Sequence, residues 1–506
     1  MKSTPGAHRI ELLRNMIDIT SVPFSDRGSR ILVYRHEDRN RLYIKLAERL
    51  SYLDPALEAY LARDPFITDL CLIDEDGEEL GFTVETFPHL LHFHTEKGDF
   101  GLVFQDQKTL SFGIPDDVTA GIRFCVFPQL WNQTDEGGYF KAVRNLAYCG
   151  GGTIVRNEII PRKGGYEVEL LVHSARDSTI SMTIADREKV PDTLPFNHSL
   201  QAAKLRWSDW FEDLPQVKEP YRKMYAYAWW IMASNLISPY GNVLYEAMTP
   251  SKKNYIGLWL WDSAMHSLAY CHVDPELARI QIRVMISNQL PDGMLPDVVY
   301  DEGVISEIDH PIRAEVTKPP ILAWAAMKLH ETAPDHGFLQ EIYIPLVRWN
   351  AWWFSMNDDN VNGLVQYNHP YSSGLDNNPL WDFGMPVESP DLNTYLCVQM
   401  GSLAMMAETI GMDVEGAMWR RRAEAIVRRM IREFWDEEKG VFQALHDDQP
   451  VPVLTPFNLY PLWTGQLPDH MRDRLVGHLL DPDEFWGERP IPSVARNDAL
   501  YDPESM

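Results

Sequence analysis

Three segments of the chain set carboxylates, amides and indoles beside apolar residues and close to a glycine or proline. They are residues 257–266 (Gly-Leu-Trp-Leu-Trp-Asp-Ser-Ala-Met-His), 288–297 (Asn-Gln-Leu-Pro-Asp-Gly-Met-Leu-Pro-Asp) and 371–382 (Tyr-Ser-Ser-Gly-Leu-Asp-Asn-Asn-Pro-Leu-Trp-Asp). Loops of this kind hold polar groups at fixed angles in a partly apolar cleft. Cleavage of a glycosidic bond needs that mixture. One carboxylic acid protonates the leaving oxygen, a second carboxylate activates water or attacks carbon, and further acids and amides hold hydroxyls. The acid works best with a raised pKa, which apolar neighbours such as Leu375, Leu380 and Trp381 supply. Asp376 is therefore the candidate acid.

Each of these residues also has a plainer reading. Asp376 could cap a helix or brace a turn, Asp262 could be the N-cap of a helix over 263–270, and Asp297 could be a turn acid. Trp259 and Trp261 alternate, so one faces the core and the other the pocket; Trp261 is the pocket candidate. His266 reads as structural. Lys318, in Thr-Lys-Pro-Pro (317–320), reads as a surface lysine, with neutralisation of an acidic aglycone as the alternative. Residues 420–422, three arginines, read as a solvated helix face. The histidines show no metal-type spacing, so no metal or other cofactor is expected.

The elements that must position these loops divide the chain in two. Length alone suggests roughly two to four domains. Residues 1–198 carry many short β-prone runs: 31–34, 42–44, a hairpin over 73–82 turning at Asp76-Gly77, the alternating 100–110 stretch, 121–127, 153–160, 166–173 and 180–185. That pattern predicts an antiparallel β-sandwich. Residues 199–216 read as a helical linker. From 217 to 506 the periodicity becomes helical, over 221–237, 275–289, 320–331, 339–356, 392–410, 414–435 and 470–480. Helices joined by Trp- and Pro-rich loops suggest an all-α bundle or an α/α toroid whose rim loops form a pocket.

Composition narrows the function classes. The chain has 506 residues and a formal net charge of -27. The acidic balance argues against nucleic acid and against anionic membrane as partners, and suits a small neutral substrate. No apolar run is long enough to span a bilayer. The N-terminal residues lead into polar sequence without a leader-like apolar core. Five scattered cysteines suggest free thiols. A cytoplasmic protein is expected. The 16 tryptophans fit either a large core or sugar stacking.

The segments 255–266, 289–297, 317–320 and 373–382 resemble those of the family-63 glycoside hydrolases, in particular the mannosylglycerate/glucosylglycerate hydrolase branch, whose wider clan includes trehalase-like six-hairpin enzymes. Residues 455–462 (Thr-Pro-Phe-Asn-Leu-Tyr-Pro-Leu) add weaker support. The likeness extends over most of 205–506. It implies an (α/α)6 barrel and an inverting mechanism without metal or cofactor, acting on an α-linked glucoside or mannoside. By position it implies Asp376 as general acid and Trp261 and Asp262 as lining the subsite of the reacting sugar. Asp297 lies on the loop beside it, Asn377, Trp381 and Asp382 flank the acid, and Trp259, His266 and Gln289 complete the substrate-binding set. The family's general base is a Glu that follows a segment resembling Tyr-Trp-Arg-Gly; this sequence has no such segment before it stops at Met506. The helices are also roughly three short of six hairpins. A C-terminally truncated barrel is expected, with the base unassigned; the late carboxylates Glu484, Glu488 and Glu504 lack the family context. Outside this reading stand a non-catalytic carbohydrate-binding or regulatory remnant, and an α-rhamnosidase or glycosidic phosphorylase of similar architecture.

Overall fold

Period-two burial builds the first part of the chain. In β2 (Leu42–Leu46) Leu42, Ile44 and Leu46 are buried while Tyr43 and Lys45 are half-buried, the signature of a strand with one face on a core. The computed structural model describes residues 5–48, 64–142, 144–187, 189 and 191–504. Residues 1–4, which entered the leader argument, lie outside the described residues. Two compact units result: 1–239 with 248–256, and 240–247 with 257–506.

The first unit holds two antiparallel sheets. One is ordered β1-β2-β3-β8-β13-β12 and the other β4-β5-β6-β7-β14-β11-β10-β9. The strands are β1 (Ile31–Arg35), β2, β3 (Ile67–Ile73), β4 (Thr83–Phe87), β5 (Leu90–Thr95), β6 (Gly98–Asp106) and β7 (Thr109–Gly113). They continue with β8 (Thr119–Val126), β9 (Leu130–Gln133), β10 (Gly137–Lys141), β11 (Asn145–Gly151), β12 (Thr153–Arg162), β13 (Gly165–His173) and β14 (Thr179–Ala185). Between the sheets the Phe124 and Tyr148 rings meet edge to face, 5.7 Å apart. The Asp76-Gly77 turn forms, with Gly77 at φ +85° and Asp74 N donating to Glu78 O at 3.0 Å. Its returning arm makes only an isolated bridge from Glu79 to Ile73.

Strands β7 and β14 are buried along their whole length. A sheet can be dry on both faces only if something covers the second one. Here α2 (Phe196–Glu212) does so: the Phe196 ring occupies the space a Cβ would need at both Gly101 and Gly113. Helices α1 (Pro5–Leu12) and α3 (Arg222–Ser234) complete the unit. The Trp210 and Trp229 indoles stack at 5.0 Å, and each N–H donates to the other residue's carbonyl. On the sheet surface the histidines gather, contrary to the expectation of no metal-type cluster: one ligand atom each of Glu85, His92 and His94 lies within 4.8 Å of the others.

The second unit is mainly helical: α4 (Leu260–Tyr270), α5 (Pro275–Ile286), α6 (Leu322–Thr332), α7 (His336–Met356), α8 (Pro390–Thr409), α9 (Asp413–Glu433) and α10 (Asp469–Leu480). Asp274 caps α5, accepting from Leu277 N at 2.9 Å, with Pro275 at its first position. Buried residues ring α8 on all sides, as they must on a helix enclosed by others; α6, α7 and α9 pack against it. No helix among the described residues is long and apolar enough to cross a membrane. The five cysteines are free thiols.

Truncating Phe124, a fully buried ring on β8, removes both its burial and its contact with Tyr148. Phe124→Ala is expected to lower stability by about 3–5 kcal/mol, measured by chemical denaturation.

Candidate active site

Asp262 stands in the first turn of α4. The helix begins at Leu260 with Trp259 at the cap, so the N-cap reading of Asp262 fails. Its carboxylate instead meets the positive end of the helix, while burial raises its pKa against the opposing pull of Lys318 and a hydrogen bond from Trp261. The strand pair Leu258–Trp259 with Val298–Tyr300 ties this helix start to the loop that carries Asp297, and Leu260 N donates to Asp297 O at 3.1 Å.

Asp297 is 4% exposed and pairs with the Lys318 ammonium at 3.0 Å. Burial nevertheless pushes it up to about 6, helped by the nearby negative charges of Asp376 and Asp262 and opposed by Lys318. The surface reading of Lys318 is therefore corrected. It is 5% exposed, and its ammonium also donates to Tyr371 O, so it is held inside the protein rather than offered to solvent. The same cation helps burial to lower His369 to about 4.

The 371–382 segment is rigidly built. Leu375 N donates to Ser373 Oγ at 3.0 Å, and Ser373 Oγ donates to Pro370 O at 2.6 Å. The Trp381 indole N–H clamps Leu375 O at 2.7 Å. Asn378 Oδ1 accepts from Leu380 N at 2.9 Å, and its amide donates to Ser493 O at 3.0 Å. Gly374 has φ +78°, and a Cβ there would lie about 2.1 Å from the Trp261 ring. Only glycine fits both demands, and the contact sets Trp261 against the backbone two residues before Asp376.

Asp376 opens on a cleft of about 510 Å³ together with Asn377, Asn378, Trp381 and Asp382, faced by Pro311, Ile312 and Met385. Its surface is exposed, but the concave walls strip enough water from the carboxyl to raise its pKa, with Lys318 opposing. Among the described residues no hydrogen bond engages this carboxylate, so it neither caps a helix nor braces a turn.

The structure thus brings Asp262, Asp297 and Asp376 within the electrostatic reach of Lys318, sets Trp261 against Gly374, and places Asn377, Trp381 and Asp382 on the cleft. It does not bring Gln289 there: both its amide donor bonds go to backbone, to Gly293 O at 2.9 Å and Pro345 O at 2.7 Å. The Trp259 ring packs edge-on to Tyr300 at 6.1 Å. His266 follows Asp262 by one turn of α4, half-buried. Glu484 belongs to a different cleft, bound to His478 at 2.6 Å and Asn497 at 3.2 Å. Asn378, Pro311 and Ile312 line the Asp376 cleft without having been singled out; only Asn378 carried a signal, its place in the same run as Asp376.

The model of the mannosylglycerate hydrolase MGH1-like glycoside hydrolase domain matches residues 255–506, the part that contains every one of these loops. A mannosylglycerate hydrolase from Thermus thermophilus is 32% identical over 334 residues, covering 50% of this chain and 78% of that protein. The chain belongs to this glycoside hydrolase family. Mannosylglycerate hydrolase MGH2 from Selaginella moellendorffii is 29% identical, covering 51% of this chain and 53% of its own length, so the chain spans about half of that relative. Among solved structures, a bacterial glucoamylase complexed with acarbose shares the fold at a TM-score of 0.52 and 9% identity, over 87% of this chain and 74% of that one.

Two tests follow from this geometry. Gly374→Ala combines a strained φ with overlap on Trp261 and is expected to cost about 1–3 kcal/mol, with a change in tryptophan emission. Asp297 holds its proton more tightly folded than unfolded, so its contribution makes stability fall as pH rises from about 4 to about 6. Denaturation midpoints measured across that window should slope less in Asp297→Asn than in the wild type; an unchanged slope would show that Asp297 does not titrate there.

Proposed function

We propose that the chain is a glycoside hydrolase that cleaves an α-linked mannoside or glucoside with inversion, Asp376 acting as general acid. The observation that carries the reading is the Asp376 carboxyl: it is unengaged, raised in pKa, and open to a cleft with amide, acid and indole neighbours. The relatives named as mannosylglycerate hydrolases support glycosides of small acidic aglycones as substrates. Asp376 gives its proton to the glycosidic oxygen as the C–O bond breaks. Water adds to the anomeric carbon from the opposite face and loses its proton to a carboxylate about 6.5–9.5 Å from the acid. Asp262 and Trp261 hold the reacting sugar, and Asn377 and Asp382 bind hydroxyls at the rim. The architecture that suits this chemistry is an antiparallel β-sandwich over 1–198 followed, over 217–506, by part of the helices of an (α/α)6 toroid, with the 371–382 loop at its rim.

Hydrolysis of mannosylglycerate, glucosylglycerate, trehalose and kojibiose by the full chain tests the reading, with the product anomer followed by NMR. Inversion of an α-glycoside releases the β-anomer first. Asp376→Asn is expected to lower kcat/KM about 10²–10⁴-fold. Because the acid must be protonated, kcat/KM should fall as pH rises through the elevated Asp376 pKa, and Asp376→Asn should lose that limb. Unchanged hydrolysis in Asp376→Asn sinks the acid assignment, and calorimetric binding without turnover points instead to a carbohydrate-binding remnant.

A further inference from the structure

On the eight-stranded sheet, β4 is an edge strand and β5 and β6 follow it. Outward-facing positions on these three strands carry one histidine pair and two carboxylates. His92 and His94 alternate with the buried Leu91 and Phe93 along β5, so both imidazoles stand on the same face. Glu85 of β4 lies directly opposite His92, and Asp99 of β6 lies directly opposite His94. The cluster is therefore a product of register: a slip of one residue in either pairing would turn its members to opposite faces.

The ring nitrogens divide their partners in a definite way. Glu85 Oε2 lies 3.9 Å from His92 Nδ1 and 3.8 Å from His94 Nε2. The remaining nitrogens face the other carboxylate: Asp99 Oδ1 is 2.9 Å from His94 Nδ1, and Asp99 Oδ2 is 3.4 Å from His92 Nε2. Arg14 engages Glu85 through Oε1, which leaves Oε2 to the imidazoles. A tetrahedral zinc ion with bonds of about 2.0–2.1 Å separates its ligand atoms by about 3.4 Å, so the Glu85 oxygen needs to close on the nitrogens by about half an ångström, and the three ligand atoms already lie within 4.8 Å of one another. Histidines that bind metal usually give their second nitrogen to a carboxylate, which fixes the tautomer and the ring. Asp99 stands where that role requires, for both rings at once.

We propose that Glu85 Oε2, His92 Nδ1 and His94 Nε2 bind a single divalent transition-metal ion of the zinc type, with Asp99 as the positioning residue and the fourth place taken by water. The ion clips the edge strand β4 to β5. An edge strand has backbone pairing on one side only, so a cross-strand metal bond adds most where the ladder is weakest. The site is independent of the glycosidase reading, since none of its residues belongs to the Asp376 cleft.

The test uses the full chain, freed of metal by a chelator, titrated with Zn²⁺ by calorimetry and with Co²⁺ by absorption. The wild type is expected to bind one ion more than His92→Ala/His94→Ala, to show tetrahedral Co²⁺ bands that this variant lacks, and to unfold at a higher temperature when Zn²⁺ is added. Asp99→Asn, which keeps all three ligands, should bind about 10–100-fold more weakly. These side chains face outward, so circular dichroism of the variants should match the wild type; if the double variant does not fold, Glu85→Gln serves the same comparison. Equal stoichiometry and affinity in wild type and ligand variant would overturn the proposal and leave an ordinary surface ion cluster.

Discussion

A single buried ammonium governs the candidate site. Lys318 pairs with Asp297 and also acts on Asp262 and Asp376. Lost hydration favours the protonated form of all three carboxyls, and at the buried Asp297 the charges of Asp376 and Asp262 add to it. One cation cannot cancel three charges. It spends most of its effect on Asp297, its direct partner, and pulls more weakly on the other two. The outcome is graded rather than uniform. Without Lys318, Asp297 would lose its counter-ion and hold its proton more tightly still.

Fixing such charges demands a stiff frame, and the frame is made of small local devices. The Trp381 clamp on Leu375 O, the Ser373 bridge and the Asn378 cap hold the backbone on both sides of Asp376. Gly374 allows Trp261 to lie flush against that backbone. Asp262 and Asp297 are joined through the short strand pair at the start of α4. None of these contacts touches the Asp376 carboxyl itself. They fix the backbone that carries the carboxyl and leave the carboxyl itself unengaged, as the proposed role of proton donor requires.

Most of the helices from α5 to α10 were legible by an apolar period, as in 275–286 and 413–433; α8, buried on all sides, was legible by its long apolar run instead. Strands β1, β2, β8, β12 and β13 of the six-stranded sheet were legible as short β-prone runs; β3 was not, because Asp69, at positive φ, interrupts its apolar run. Strands β4, β5, β9, β10 and β11 were not: β9 is exposed at every position, and histidines and glutamate interrupt the apolar pattern of β4 and β5. Helix α1 spans only eight residues, too few for a helical period to stand out. Asp376 could be found because its whole run of neighbours is distinctive. Lys318 was misread because burial of a lysine depends on acids more than twenty positions away in sequence. Gln289 was overvalued for the converse reason: an amide in a conspicuous motif can be consumed by backbone carbonyls, here those of Gly293 and Pro345. Register-dependent groupings such as Glu85 with His92 leave no trace in spacing at all.

The tryptophan content shows how far composition can carry a functional argument. Trp230, Trp349, Trp352 and Trp353 are fully buried, and Trp210 and Trp229 pair with each other. These indoles are packing, and they say nothing about sugars. At the Asp376 cleft and the glycine beside it, the indoles are Trp381 and Trp261. Trp381 spends its N–H on the loop and abuts Tyr367 edge to face at 5.7 Å, so what it can offer a ligand is the apolar surface it turns to the cleft. Trp261 is pressed through its benzo edge against Gly374, which immobilises the ring. A ring fixed in this way loses no side-chain entropy when a pyranose face settles on it. On the proposed reading, the same tight contact that forbids a side chain at position 374 also prepares the indole for a ligand.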